Sequence, residues 1–203
     1  MIKKTICIAL ACTCLSVLMS SCGSGVNGVV NPKILENKEE VQKIHDAIVK
    51  ALGKQSSKTQ EVTITIDNPA DKGKKGDAYL HLMIDMQDPE KPKQLLRQQF
   101  HGELGYWMEL QEVTIQVRGD DVENYRLEDE LFDFTEITAG KLHSIFQTAY
   151  NQYADPAKYA YMYVSFVTID IEEISVTVKG KLESNDQMIT NNITFDWDGH
   201  ITE

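Results

Sequence analysis

Cysteine is absent from most of this chain. All four cysteines lie within the first 22 of the 203 residues, and Cys22 is the last of them. A small secreted domain that depends on disulfides carries paired cysteines through its folded region. A disulfide-stapled fold and a cysteine nucleophile are therefore excluded for residues 23–203.

Long apolar runs and an excess of basic residues are also missing. Beyond the N-terminal segment, no apolar stretch approaches the ~20 residues that a membrane-spanning helix needs. Acidic residues outnumber basic ones by 31 to 20, for a net charge of −11. Such a protein repels phosphate backbones and anionic lipid, which argues against nucleic-acid partners and against a basic membrane-surface helix.

Motifs for catalysis are lacking as well. The chain has no G-x-S-x-G elbow, no S-x-x-K, no H-E-x-x-H and no phosphate-binding glycine loop. Its acidic residues do not follow the spacing of a calcium loop. The sequence predicts no cofactor, no metal and no enzymatic activity. A hydrolase that works through two converging carboxylates is the catalytic alternative.

The first 22 residues have the layout of a secretory signal. Lys3 and Lys4 precede an apolar run from Ile6 to Leu18, which is too short to span a bilayer. The sequence Met-Ser-Ser-Cys at residues 19–22 resembles a bacterial lipobox. It has the looser form typical of Bacteroidota lipoproteins, with Met19 where leucine is usual.

This resemblance implies cleavage before Cys22 and lipidation of its sulfur. We therefore predict a signal peptide over 1–21 and a lipidated cysteine with a flexible linker over 22–32. An ordinary signal with a chance cysteine is the alternative. Cleavage removes two lysines and no acidic residue, so the net charge becomes −13. In the surface-export signal of such lipoproteins, acidic residues directly follow the lipidated cysteine. No acidic residue directly follows Cys22. We thus expect attachment to the outer membrane, facing the periplasm.

Two helices are predicted from apolar spacing. Asn31-Pro32 is expected to open the first, and Gly53 to end it. Its apolar stripe is Ile34, Val41, Ile44, Ile48 and Leu52. The second is expected to begin near Thr138 and to end before Pro156.

In most of the remaining chain, apolar and polar residues alternate with period two, which predicts strands. Within each of four apolar sets, the side chains are expected to lie on one face of their strand. These sets are Val62, Ile64 and Ile66; Leu80, Leu82, Ile84 and Met86; Met162, Val164 and Phe166; and Ile174, Val176 and Val178.

Two pairs of similar stretches suggest internal repetition. Residues 110–119 align with 171–180, and residues 43–45 align with 141–143. We predict an α+β fold of two unequal helix-plus-antiparallel-meander repeats, each helix packed on a sheet face. The units are expected at 33–137 and 138–203. Chance similarity between alternating strands is the alternative.

The predicted outline is similar to tandem PepSY-like domains and to beta-lactamase inhibitory proteins. The C-terminal stretch FDWDGHI, residues 195–201, resembles the close of PepSY repeats. The resemblance implies an envelope protein built of helix-then-meander units. It transfers no individual site residue to this chain.

Tyrosines crowd one stretch, with five of the eight between residues 150 and 163. Tyr159, Tyr161 and Tyr163 alternate and are predicted to share one strand face, to which Trp107 is expected to add. Aromatic rings with hydroxyls suit stacking on sugars or contact with a protein. Packing under a helix or neighbouring loop is the alternative.

The sequence thus predicts a non-catalytic, lipid-anchored envelope binding or accessory protein. Its partner would be a protein, a peptide or a glycan. The alternative is a structural or inhibitor/immunity-type lipoprotein that blocks a basic partner protein.

Overall fold

The computed structural model describes residues 25–53, 58–115, 125–153 and 155–202. The predicted signal peptide and Cys22 lie outside these ranges. Within them, no helix is both long enough and apolar enough to span a lipid bilayer.

The described residues form two α-helices and ten strands. The helices are α1 (Lys38–Leu52) and α2 (Ala139–Asn151). The strands are β1 (Val29–Val30), β2 (Lys58–Asp67), β3 (Ala78–Gln87), β4 (Leu95–His101), β5 (Tyr106–Trp107), β6 (Gln111–Val113), β7 (Phe132–Asp133), β8 (Tyr159–Ile169), β9 (Ile174–Leu182) and β10 (Met188–Phe195).

All ten strands belong to one antiparallel sheet. Its order is β10-β9-β8-β2-β3-β4-β5, while β1, β6 and β7 pair with β3, β4 and β2 respectively. Two runs of consecutive strands thus meet where β2 pairs with β8. The predicted combination of two helices with antiparallel strands is confirmed.

The start of α1 lies later than predicted. The Asn31 side chain accepts a hydrogen bond from Lys33 N at 2.9 Å, and a 3-10 turn over Ile34–Glu36 follows. The cap of α1 is Asn37, whose side-chain oxygen accepts from Glu39 N and Glu40 N. An asparagine cap can open either kind of turn, which is why the motif located the region but not the first α-helical residue.

The predicted end of α1 at Gly53 and the predicted start of α2 near Thr138 are confirmed. Gly53 follows α1 with a φ of 64°, a conformation that glycine adopts at little cost. The cap of α2 is Thr138, which accepts a hydrogen bond from Lys141 N at 3.2 Å.

Both helices pack side by side on the same face of the sheet. The predicted apolar sets of β2, β3 and β9 are buried and join the helix stripes in one core. Removal of apolar surface from water, at ~25 cal/mol per Å², is the main force that holds this layer together.

A reciprocal pair of histidine contacts links the helices. The His45 side chain on α1 bonds the Ile137 carbonyl before α2 at 2.7 Å, through Nε2. His143 on α2 bonds the Glu36 carbonyl before α1 at 3.0 Å, also through Nε2. Each helix therefore binds the segment that leads into the other helix.

The prediction of a flexible linker over 22–32 is wrong from Gly28 onward. The Gly28 carbonyl accepts a hydrogen bond from Leu80 N at 2.9 Å, and Val29–Val30 pair with Ala78–Tyr79. Gly28 is buried against the backbone of Gly102, an approach that only a residue without a side chain permits. Glycine here serves close packing rather than flexibility.

The alignment of residues 110–119 with 171–180 does not relate equivalent strands. Gln111–Val113 forms β6 beside β4 near one edge of the sheet, whereas Ile174–Leu182 forms β9 between β8 and β10. Alternating strands of similar composition resemble one another without sharing a place in a sheet.

Candidate binding face

The sheet face turned away from both helices is here called the open face. Its side chains alternate with the buried apolar ones along each strand. The members that line it are Thr63 and Thr65 of β2, Met83 and Asp85 of β3, Arg97 and Gln99 of β4, Phe166 and Thr168 of β8, Ser175, Thr177 and Lys179 of β9, and Asn192 of β10.

Phe166 is an exposed aromatic residue of the open face. Its side chain is 40% exposed, and its neighbours across the two adjoining strands are Thr65 and Thr177. Phe166 therefore stands at the junction between the two runs of strands.

The prediction that Phe166 shares a face with Met162 and Val164 is wrong. The register between β8 and β9 shifts between Val164 and Phe166, so Ser165 is an extra residue in β8. A bulge of this kind turns the following side chain to the other face. Val167 thereby takes the buried position, and Phe166 faces solvent.

The direct cross-strand neighbours of Phe166, Thr65 and Thr177, are polar but uncharged. The Ser175 and Thr177 hydroxyls both donate to Asn192 Oδ1, at 3.0 and 3.1 Å. A flat apolar ring beside hydroxyl and amide groups suits contact with a sugar ring or a protein side chain.

Tyr161 and Tyr163 do not form an open platform. The Tyr163 hydroxyl donates to Asp71 Oδ2 at 2.5 Å, and the Tyr161 hydroxyl donates to Asp71 Oδ1 at 3.3 Å. Lys179 Nζ also reaches Asp71 Oδ2, at 3.2 Å. Asp71 belongs to the 3-10 turn after β2, so packing beneath a neighbouring loop describes both tyrosines.

Tyr159 lies on the opposite face, against the prediction that the three tyrosines share one. A second register shift, between Tyr159 and Tyr161, makes Ala160 an extra residue of β8. The Tyr159 ring packs against Tyr153 of the α2 end at 5.2 Å and covers Gly180. This bulge places Tyr159 on the helix side of the sheet.

Trp107 does not extend the tyrosine surface. Its ring packs on Phe100 at 5.6 Å between centroids, beside the core. β5 is four strand positions from β8 in the sheet, which corresponds to about 19 Å. The predicted binding residues Tyr159, Tyr161, Tyr163 and Trp107 are therefore not brought together.

Two further polar groupings lie towards the β4 side. Arg97 binds Asp85 through two hydrogen bonds, at 2.7 and 2.6 Å, and this hydrogen bonding raises the pKa of Arg97. The rings of His81 and His101 meet edge to face at 4.8 Å. Burial and the nearby His101 lower the pKa of His81. Within the described ranges, no three metal-ligating side chains gather in a way that would hold an ion.

Buried tyrosines should make stability fall at high pH. Burial raises the pKa of Tyr153 to about 12, and burial with the Asp71 carboxylate raises that of Tyr163. A group with a raised folded-state pKa contributes stability that is complete below its unfolded pKa, ~10 for tyrosine. That contribution is lost as the pH rises from ~10 through the folded value.

Urea denaturation across that pH range provides the measurement. Tyr153→Phe should flatten the decline in unfolding free energy, whereas Tyr106→Phe, at a half-exposed side chain, should leave its slope unchanged. Equal slopes for Tyr153→Phe and the unaltered protein would contradict the conclusion that ionisation of Tyr153 contributes to the loss of stability.

Comparisons with known proteins found no match. No protein-family model, no curated protein and no solved structure is significantly similar to this chain.

Proposed function

We propose that the protein is a non-catalytic binding or accessory module of the cell envelope, anchored by lipid at Cys22. It engages a protein, peptide or glycan through the open face. The observation that carries this proposal is Phe166, a large aromatic side chain left 40% exposed in the middle of a sheet. An exposed aromatic amid hydroxyl groups is typical of a recognition surface.

The proposal includes a duplicated architecture, with units at 33–137 and 138–203. Each unit contributes one helix followed by a three-stranded meander: α1 with β2–β4, and α2 with β8–β10. The reciprocal contacts of His45 and His143 favour the same reading. In this arrangement Phe166 pairs with Thr65 across the junction of the units, so both units would shape the site.

An inhibitory role against a basic partner is the second candidate, favoured by the acidic composition. It would bind through charge, so its association should weaken steeply with salt. The uncharged cross-strand neighbours of Phe166, Thr65 and Thr177, favour the first candidate, for which we expect little dependence on salt.

Photo-crosslinking in the organism that makes the protein tests the binding face. Benzoylphenylalanine placed at Phe166 should yield a discrete adduct, because the residue would contact the partner. Ile171, an apolar side chain 37% exposed in the turn after β8, provides a matched control position. Mass spectrometry of the adduct separates protein, peptide and glycan partners.

Adducts that are identical at the two positions would count against the open face, as would their absence at both. Phe166→Ser should reduce capture by a crosslinker at neighbouring Thr168, while Ile171→Ser should not. Circular dichroism of both variants checks that the fold persists.

A further inference from the structure

We propose that the sheet end containing the β4–β5 turn rests on the membrane that holds the lipid anchor. This inference depends on the proposed lipidation of Cys22. It adds an orientation, in which the apolar tip formed by Val29, Leu104 and Tyr106 enters the bilayer interface.

The apolar tip combines three half-exposed side chains. Val29, Leu104 and Tyr106 are 54, 51 and 50% exposed. They are linked through backbone contacts: Gly28 packs on Gly102, and Tyr106 pairs with His101. Three of the seven exposed large apolar residues of the described ranges therefore lie at one end of the sheet.

The tether leads to this same end. Gly28 is fixed to Leu80 near the start of β3. Six peptide units join Cys22 to Gly28, a distance of at most about 22 Å even when fully extended. A lipidated Cys22 would therefore hold the apolar tip close to the bilayer.

The opposite end of the sheet is much farther from the tether. β3 has ten residues and spans about 33 Å, so the turn after β8 lies roughly a strand length away from the tip. An acidic protein gains nothing electrostatically by lying flat on anionic lipid. The chemistry of the tip favours an end-on contact instead.

The side chains at this end suit the interface between lipid and water. Tyrosine places an apolar ring among acyl chains with its hydroxyl in the headgroup layer. The connection between β2 and β3 runs at the same end and exposes Lys74 and Lys75, whose ammonium groups suit lipid phosphates.

Fluorescent labelling tests the orientation directly. In the mature, lipidated protein the Cys22 sulfur is blocked, so an introduced cysteine is the only free thiol. Glu103→Cys labels the apolar tip without removing its apolar residues, and Glu172→Cys labels the opposite end. Both substitutions replace an exposed glutamate in a turn, so the two variants have the same net charge.

The labelled protein is reconstituted in vesicles of phosphatidylethanolamine and phosphatidylglycerol that contain a nitroxide-bearing phosphatidylcholine. We expect quenching several-fold greater at residue 103 than at residue 172. Adding Leu104→Ser and Tyr106→Ser to the Glu103→Cys protein should remove most of that difference, while the protein still floats with the vesicles.

The outcomes separate the inference from the proposed function. Flotation with equal quenching at both positions overturns the orientation and leaves the anchor intact. A protein that does not float, with Cys22 unmodified by mass spectrometry, overturns the anchor and the orientation with it.

Discussion

Replacement of Gly102 by alanine is expected to lower the free energy of unfolding by about 3 kcal/mol, because overpacking against a fixed backbone has no cheap relief. A Cβ at Gly102 would overlap the Leu80 carbonyl oxygen and lie 3.0 Å from Leu80 N. These are backbone atoms, so no side-chain rotation removes the contact. Urea denaturation followed by tryptophan fluorescence measures the loss.

Gly140→Ala provides a control of the opposite sign. Gly140 lies in α2, and the nearest atom to an added Cβ is Thr138 Oγ1 at 3.9 Å. Alanine at this helical position should raise the unfolding free energy by ~0.5–1 kcal/mol. Equal effects of the two substitutions would refute the close-contact explanation for Gly102.

Asp71→Ala is expected to cost about 2–3 kcal/mol, since a buried hydroxyl and an ammonium group would lose their shared carboxylate. The Asp71 side chain is 10% exposed, and it accepts hydrogen bonds from Tyr161, Tyr163 and Lys179. Lys179 is 35% exposed, so water limits the charge contribution. Asp71→Asn, which keeps an acceptor oxygen, should cost less than Asp71→Ala.

Asp67→Ala is the matched comparison at the start of the same connection, since Asp67 is the last residue of β2. Asp67 pairs with Lys72 at 3.3 Å, but both side chains are largely exposed, at 46 and 63%. An exposed ion pair contributes ~0–1 kcal/mol. If Asp67→Ala and Asp71→Ala destabilise the protein equally, the contacts of Asp71 with Tyr161, Tyr163 and Lys179 do not contribute the stability that we expect.

Local patterns in the sequence accounted for the helices and for most of the core. Apolar residues three and four apart along α1, and the Thr138 cap of α2, are features that a short peptide already carries. Period-two alternation identified the buried sets of β2, β3 and β9. These signals are readable because helix caps and side-chain alternation depend only on neighbours in the chain.

The candidate site was not readable in the same way. Phe166 is predicted to share a face with Met162 and Val164, because its spacing from Val164 fits an unbroken strand. A bulge forms only when two strands with different residue counts are paired, and nothing in β8 alone marks Ser165 as the extra residue. The same reason explains why Tyr159 was placed with Tyr161 and Tyr163.

By itself, the sequence determined which segments are helical, which residues are apolar enough for the core, and which catalytic motifs are missing. The tertiary structure decided the strand order, the contact of Asp71 with β8 and the face on which Phe166 stands. Those features depend on hydrogen bonds and packing between residues far apart in the chain, whereas caps and periodicity depend on residues within one or two turns.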